Sequence, residues 1–160
     1  MLAKYPQKKT KEDKIRIGLI LLFCLYAILQ SSLRDISMLP DGNDTPVYHY
    51  LYTELSKTSW ADVMAHFAIV SSRYSGRDSG YVVFMKLTQL ISEDFTFFMF
   101  LTATIFFMSF GWLIYKYVKS YLGLILVFMV YFAIFTNIVD SFMRQAVVLG
   151  ITLYSIRFRS

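Results

Sequence analysis

The sequence predicts an all-α fold: a polytopic integral membrane protein with four transmembrane helices and a long outer loop of short interfacial helices. Three observations predict it. Of the 160 residues, 56% are hydrophobic and only 17% are charged. Soluble domains carry about 25% charged residues, so a core of this size cannot hide the apolar ones. The charges are also clustered, which leaves long uncharged runs. Those runs match a hydrocarbon core of roughly 30 Å. The single cysteine, Cys24, lies inside such a run, so one chain has neither a disulfide nor a cysteine metal cluster.

Residues 1–14 form a basic tail, with Lys4, Lys8, Lys9, Lys11 and Lys14 against Glu12 and Asp13. Residues 15–33 are expected to be the first transmembrane helix. Its uncharged part, IGLILLFCLYAILQSSL, is flanked by Arg16 and Arg34. A basic tail before an apolar run also suits a signal peptide, but no small-residue cleavage site follows the run. A retained helix is the better reading.

Residues 34–94 hold five basic and eight acidic residues and form the loop. It opens on the turn-rich MLPDGND. In TPVYHYLYTEL, Thr45 suits an N-cap and Pro46 the first helical position. Tyr48, Leu51, Tyr52 and Leu55 then recur at helical spacing. WADVMAHFAIV (60–70) is a second amphipathic piece, and SSRYSGRDSG (71–80) is a second turn cluster. YVVFMKLTQLIS (81–92) is apolar, interrupted by Lys86, and too short to span. These pieces are expected to lie at the membrane surface, each burying one face.

Residues 95–115 carry no charge and form the second span; 120–139 form the third. Residues 141–157 form the fourth, in which Arg144 interrupts the apolar run. The chain stops just beyond, so the expectation is one truncated membrane domain. Basic residues near helix ends set the orientation. The lysine tail, Lys116 with Lys119, and Arg157 with Arg159 all fall on one side if the N-terminus is cytoplasmic. The loop 34–94 then lies outside. The net charge of +5 is concentrated in these groups. No basic face able to read bases remains, so nucleic acid is not an expected partner.

Asp44, in GNDTPVYHY, sits just outside the first helix. A carboxylate there can act as general base on a sugar hydroxyl, or simply cap the helix that starts near Pro46. Arg144 lies in the first turn of a helix, where the macrodipole disfavours cations. It suggests an anionic partner such as a pyrophosphate, which guanidinium grips in bidentate fashion. The alternatives are snorkelling to the interface or pairing with Asp140. Gln145 beside it can bond a sugar or another helix. Arg34, Arg73 and Arg77 add outer positive charge, with Asp78 and Glu54 as carboxylates nearby. His49 and His66 make a poor zinc set. Tyr115, Tyr117 and Tyr121 suit headgroup anchoring. No Walker loop, Rossmann glycine pattern or serine elbow is present, and no cofactor is expected.

The order of these pieces resembles the EpsG family of bacterial exopolysaccharide and capsule biosynthesis proteins, which are regarded as Wzy-like polymerases. The matching residues are Gly42, Asp44 and Tyr48 in G-x-D-x-x-x-Y, Gly80-Tyr81 at the start of the short helix, and Arg144-Gln145-Ala146 at the start of the fourth span. The resemblance covers almost the whole chain. Family members are longer and have further spans, so it implies an N-terminal portion. Many members carry a glutamate near the short helix, where this chain reads Arg77-Asp78-Ser79-Gly80; Asp78 is the substitute by position.

The resemblance implies a glycosyltransferase-type polymerase in the bacterial cytoplasmic membrane. It would join undecaprenyl-pyrophosphate-linked repeat units at the outer face. Its partners would be the lipid-linked glycan, the bilayer and other polysaccharide-export proteins. The candidates are Asp44 and Arg144 for catalysis, and Arg34, Tyr48, Asp78 and Gln145 for substrate binding. The layout also resembles GT-C glycosyltransferases, by architecture alone. Two alternatives stay open: a transporter or flippase component for lipid-linked glycans, and a noncatalytic membrane scaffold. A transporter would carry more charge within its spans.

Overall fold

The structure, a computed structural model, describes residues 11–38, 43–68, 79–135 and 143–156. Every described regular element is helical. Helix α1 is Lys11–Ser32, with Glu12 and Asp13 in its first turn, where carboxylates suit the macrodipole. It therefore starts within the polar flank, ahead of the expected residue 15. A 3₁₀ turn, Ile36–Met38, follows. Three short helices then occupy the loop: α2 Thr45–Ser56, α3 Trp60–Ala68 and α4 Ser79–Thr88.

Helix α5 is Phe95–Tyr117. Asp94 caps it, its side chain accepting from Thr96 N at 2.8 Å. Helix α6, Tyr121–Val130, is capped by Ser120 and runs into a π-helical turn, Tyr131–Phe135. Helix α7 is Met143–Ser155. Among the described residues, α1 and α5 are long and apolar enough to cross a membrane. Helices α6 and α7 are shorter within that range, and parts of the expected third and fourth spans lie outside it.

Helix α5 is the centre of the bundle, with α1 and α7 packed on different faces. Cys24 Sγ meets Phe107 O at 3.3 Å, and Arg16 reaches Val118, so α1 and α5 run antiparallel. Two glycines permit the close approaches, as small residues do between membrane helices. A Cβ on Gly111 would lie 2.5 Å from Cys24 Sγ, and one on Gly150 would lie 2.9 Å from Ile105 O. Val147 shares a cluster with Phe98 near the start of α5, and Gly150 meets Ile105 farther along. Helix α7 thus runs parallel to α5. Helix α6 joins through aromatic contacts; Phe23 stacks on Phe128 with centroids 4.3 Å apart and meets Tyr131 edge-on at 5.0 Å.

The short helices α2, α3 and α4 cover one end of this bundle. Tyr52, Met85 and Phe98 are fully buried there, and Tyr48, Leu55, Val63 and Val147 join the same cluster. Each such side chain contributes about 1.5–3 kcal/mol on burial. The cap is thus held to the start of α5 chiefly by aromatic packing.

Candidate functional site

The last carbonyls of α2 have no partner within their own helix. Two carbonyls near that end gain side-chain donors: Lys86 Nζ of α4 donates to Leu55 O at 2.7 Å, and Gln89 Nε2, one residue past α4, donates to Tyr52 O at 2.6 Å. Lys86, an interruption by pattern, is a buried clamp. Tyr52 donates to Ser92 O at 2.7 Å and lies 3.3 Å from Thr88 Oγ1. Burial pushes its hydroxyl above the usual tyrosine range, against the lowering effect of the Thr88 hydrogen bond. These bonds hold the C-terminal half of α2 against α4 and the turn that follows it.

Asp44, not Thr45, occupies the N-cap position of α2, and its side chain makes no cap hydrogen bond. Asn43 takes the local role instead, its Oδ1 accepting from Thr45 N at 2.9 Å. Thr45 is fully buried and accepts from Arg34 Nη2 at 2.9 Å. Capping therefore does not explain Asp44, whose side chain is exposed. Arg34 ties the exit of α1 to the first turn of α2. Its neighbour Asp35 is held below the usual carboxylate range by the Ser37 hydroxyl, and secondarily by the Ser37 backbone N–H.

Tyr48 is buried, with its ring 5.1 Å from that of Tyr81 in a T-shaped contact. Two pieces of the sequence pattern, G-x-D-x-x-x-Y and Gly80-Tyr81, thus meet in space. Its ring is part of the packing beneath Asp44. Arg144 is half-buried at the start of α7, and Gln145 is exposed. One turn on, Val147 enters the cluster that holds Tyr48. Asp78, Gly42, Asp140, Arg73 and Arg77 lie outside the described residues, as does the side chain of His66. His49 packs against Phe95, with centroids 5.0 Å apart. Among the described residues, no group of three or more His, Cys, Asp and Glu could hold a metal ion.

Three residues near this end were not singled out by pattern. Ser31 and Thr102 are buried, and among the described residues neither hydroxyl has a hydrogen-bond partner; the same holds for Gln30 Oε1. Other hydroxyls of the long helices bond back to their own turn: Ser32 to Ile28 O, Thr104 to Phe100 O, and Ser109 to Ile105 O. Buried polar groups left open in this way call for a partner such as water or ligand. The signal was present as the polar Gln30-Ser31-Ser32 run within an apolar helix.

The opposite end is differently made. Arg16 is 7% exposed. Its Nη1 donates to Val118 O at 3.2 Å and Lys119 O at 3.5 Å, and its Nη2 pairs with Asp13 at 3.4 Å. The guanidinium also lies 5.1 Å from the Tyr115 ring centroid. Tyr121 donates to Glu12 O at 3.2 Å. Arg16, expected only to flank the span, closes the end of α5.

A model of the EpsG family matches residues 19–159. No curated protein and no solved structure matches the chain. The match runs from Leu19 within α1 through the cap, α5, α6 and α7, and so takes in every described candidate residue; the chain belongs to the EpsG family.

Proposed function

We propose that the chain contributes to a polymerase that joins undecaprenyl-pyrophosphate-linked oligosaccharide units on the outer face of the bacterial cytoplasmic membrane. Family membership and two helices of spanning length support a polysaccharide-polymerase-like membrane protein. In the proposed arrangement α1, α5, α6 and α7 each belong to a span, and the capped end faces outward.

The observation that carries this reading is the shared base of two helix starts. Tyr48 lies one turn after Asp44, Val147 lies one turn after Arg144, and both side chains enter one buried cluster. Asp44 is exposed and does not cap its helix. Asp44 would take the proton from the acceptor-sugar hydroxyl. The freed oxygen attacks the anomeric carbon of the donor glycan, and the bond from that carbon to the pyrophosphate oxygen breaks. Arg144 would offset the charge that grows on the leaving pyrophosphate. Arg34, Tyr48, Asp78 and Gln145 would form the substrate-binding surround.

The test is polymer formation in cells that carry the full-length protein. Asp44→Asn is expected to lower turnover at least about a hundredfold while lipid-linked substrate still binds and thermal unfolding is unchanged. Arg144→Lys keeps the charge but loses the bidentate grip, so it should lower turnover strongly without unfolding. Normal polymer from Asp44→Asn would remove the base from the mechanism.

A further inference from the structure

The end of the bundle away from the cap holds a feature that polymerisation does not use. Between α1 and α5 lies a cleft of about 240 Å³. Ile20, Cys24 and Gly111 floor it; Leu21, Met108 and Trp112 rim it. The floor is buried, whereas Leu21 and Met108 are about half exposed, at 51% and 50%. The cleft therefore opens sideways, from the two helices long enough to cross a membrane. A sugar or peptide would bury polar groups against this lining without partners, which is costly. A hydrocarbon chain has no such penalty.

Cations stand beside it toward the end of α5. Lys116 Nζ lies 5.1 Å from the Trp112 ring centroid and 5.3 Å from that of Tyr117. Lys119 Nζ lies 5.6 Å from the Tyr115 centroid. Neither ammonium pairs with a carboxylate among the described residues, and nearby Asp13 is engaged by Arg16. Trp, Tyr and Lys of this kind mark headgroup level. Lys119 Nζ also donates to Tyr115 O at 3.3 Å. An apolar slot that meets cations with no carboxylate partner among the described residues has the complement of one ligand class, a chain with an anionic head.

We propose that the cleft and its two lysines form a binding site for an anionic glycerophospholipid of the surrounding leaflet, with an acyl chain in the cleft and the phosphate on Lys116 and Lys119. The site stands apart from Asp44 and Arg144, and its occupancy is independent of their roles.

Native mass spectrometry of the full-length protein in detergent tests this, with phosphatidylglycerol and phosphatidylcholine titrated in turn. Phosphatidylglycerol should bind more tightly. Lys116→Gln should reduce that preference about fivefold, the effect of one lysine beside an anionic head, and leave phosphatidylcholine unchanged. Leu21→Trp, which fills the rim, should weaken both lipids. Both positions reach the surface, and circular dichroism checks that each variant folds. Equal affinity for the two lipids, an undiminished preference in Lys116→Gln, or unaltered binding in Leu21→Trp would overturn the site. So would a protein dimer that forms in place of lipid adducts and is lost in Leu21→Trp.

Discussion

The two arginines that bracket the uncharged run of α1 occupy opposite kinds of surroundings. Arg16 is buried and directed at the chain itself: two backbone carbonyls past α5, the Asp13 carboxylate and the Tyr115 ring. Arg34 is half-buried and bonds the Thr45 hydroxyl, next to an exposed Asp44 that caps nothing. One end of the bundle is closed by its charges. At the other, the helices that start at Asp44 and near Arg144 share a largely aromatic base. The same residue type at matching flanks of one apolar run thus does different work, and the difference lies in what the fold brings to each.

The largest stability effect should come from the aromatic base. Phe98→Ala removes a fully buried ring and is expected to cost about 3–5 kcal/mol. Hydrogen exchange should show the loss first in α2 and α4, with the Arg16 end still protected. Equal loss at both ends would show that the two regions unfold as one.

Arg16→Gln comes next. Losing charge-assisted bonds to the end of α5 should lower stability by about 1.5–3 kcal/mol. Polymer made per folded molecule should stay the same, because Arg16 lies at the far end from Asp44. A fall in turnover without a fall in stability would contradict the division between the ends.

The smallest effect is that of the Tyr52 hydroxyl. Tyr52→Phe should cost about 1 kcal/mol, since it removes bonds to Ser92 and Thr88. Tyr52 also carries a pH signature. Burial raises its folded pKa, so the fold favours the neutral phenol. The stability it lends is complete below the ordinary value of about 10 and is lost as pH rises through the raised value. An alkaline unfolding series should therefore show a decline in the wild type that is weaker in Tyr52→Phe.

The helices were legible in the sequence because each has its own signal. The uncharged run at 95–115 and the 3.6-residue spacing of Tyr48, Tyr52 and Leu55 correspond to α5 and α2. The cap of α2 was harder: Asp44 and Thr45 are both good caps by type, yet Asn43 accepts from Thr45 N and the Thr45 hydroxyl is taken by Arg34. Clamps such as Arg16 and Lys86 depend on carbonyls 102 and 31 residues away, which no local pattern contains. Asp44 and Arg144 stood out in the sequence, each with a local alternative, a helix cap for one and pairing with Asp140 or snorkelling for the other. Their common base at Tyr48 and Val147 is a tertiary fact.

The comparison rests most directly on which side of the membrane each end faces. A membrane-impermeant thiol reagent on intact cells measures this, with Asn43→Cys reporting the capped end and Lys119→Cys the other. Cys24 is buried and should stay unlabelled in the parent chain. The expected result is labelling of Asn43→Cys from outside, and of Lys119→Cys only after the cells are permeabilised. Labelling of Lys119→Cys in intact cells, with Asn43→Cys protected, would place Asp44 and Arg144 away from the outer face and contradict the proposed function.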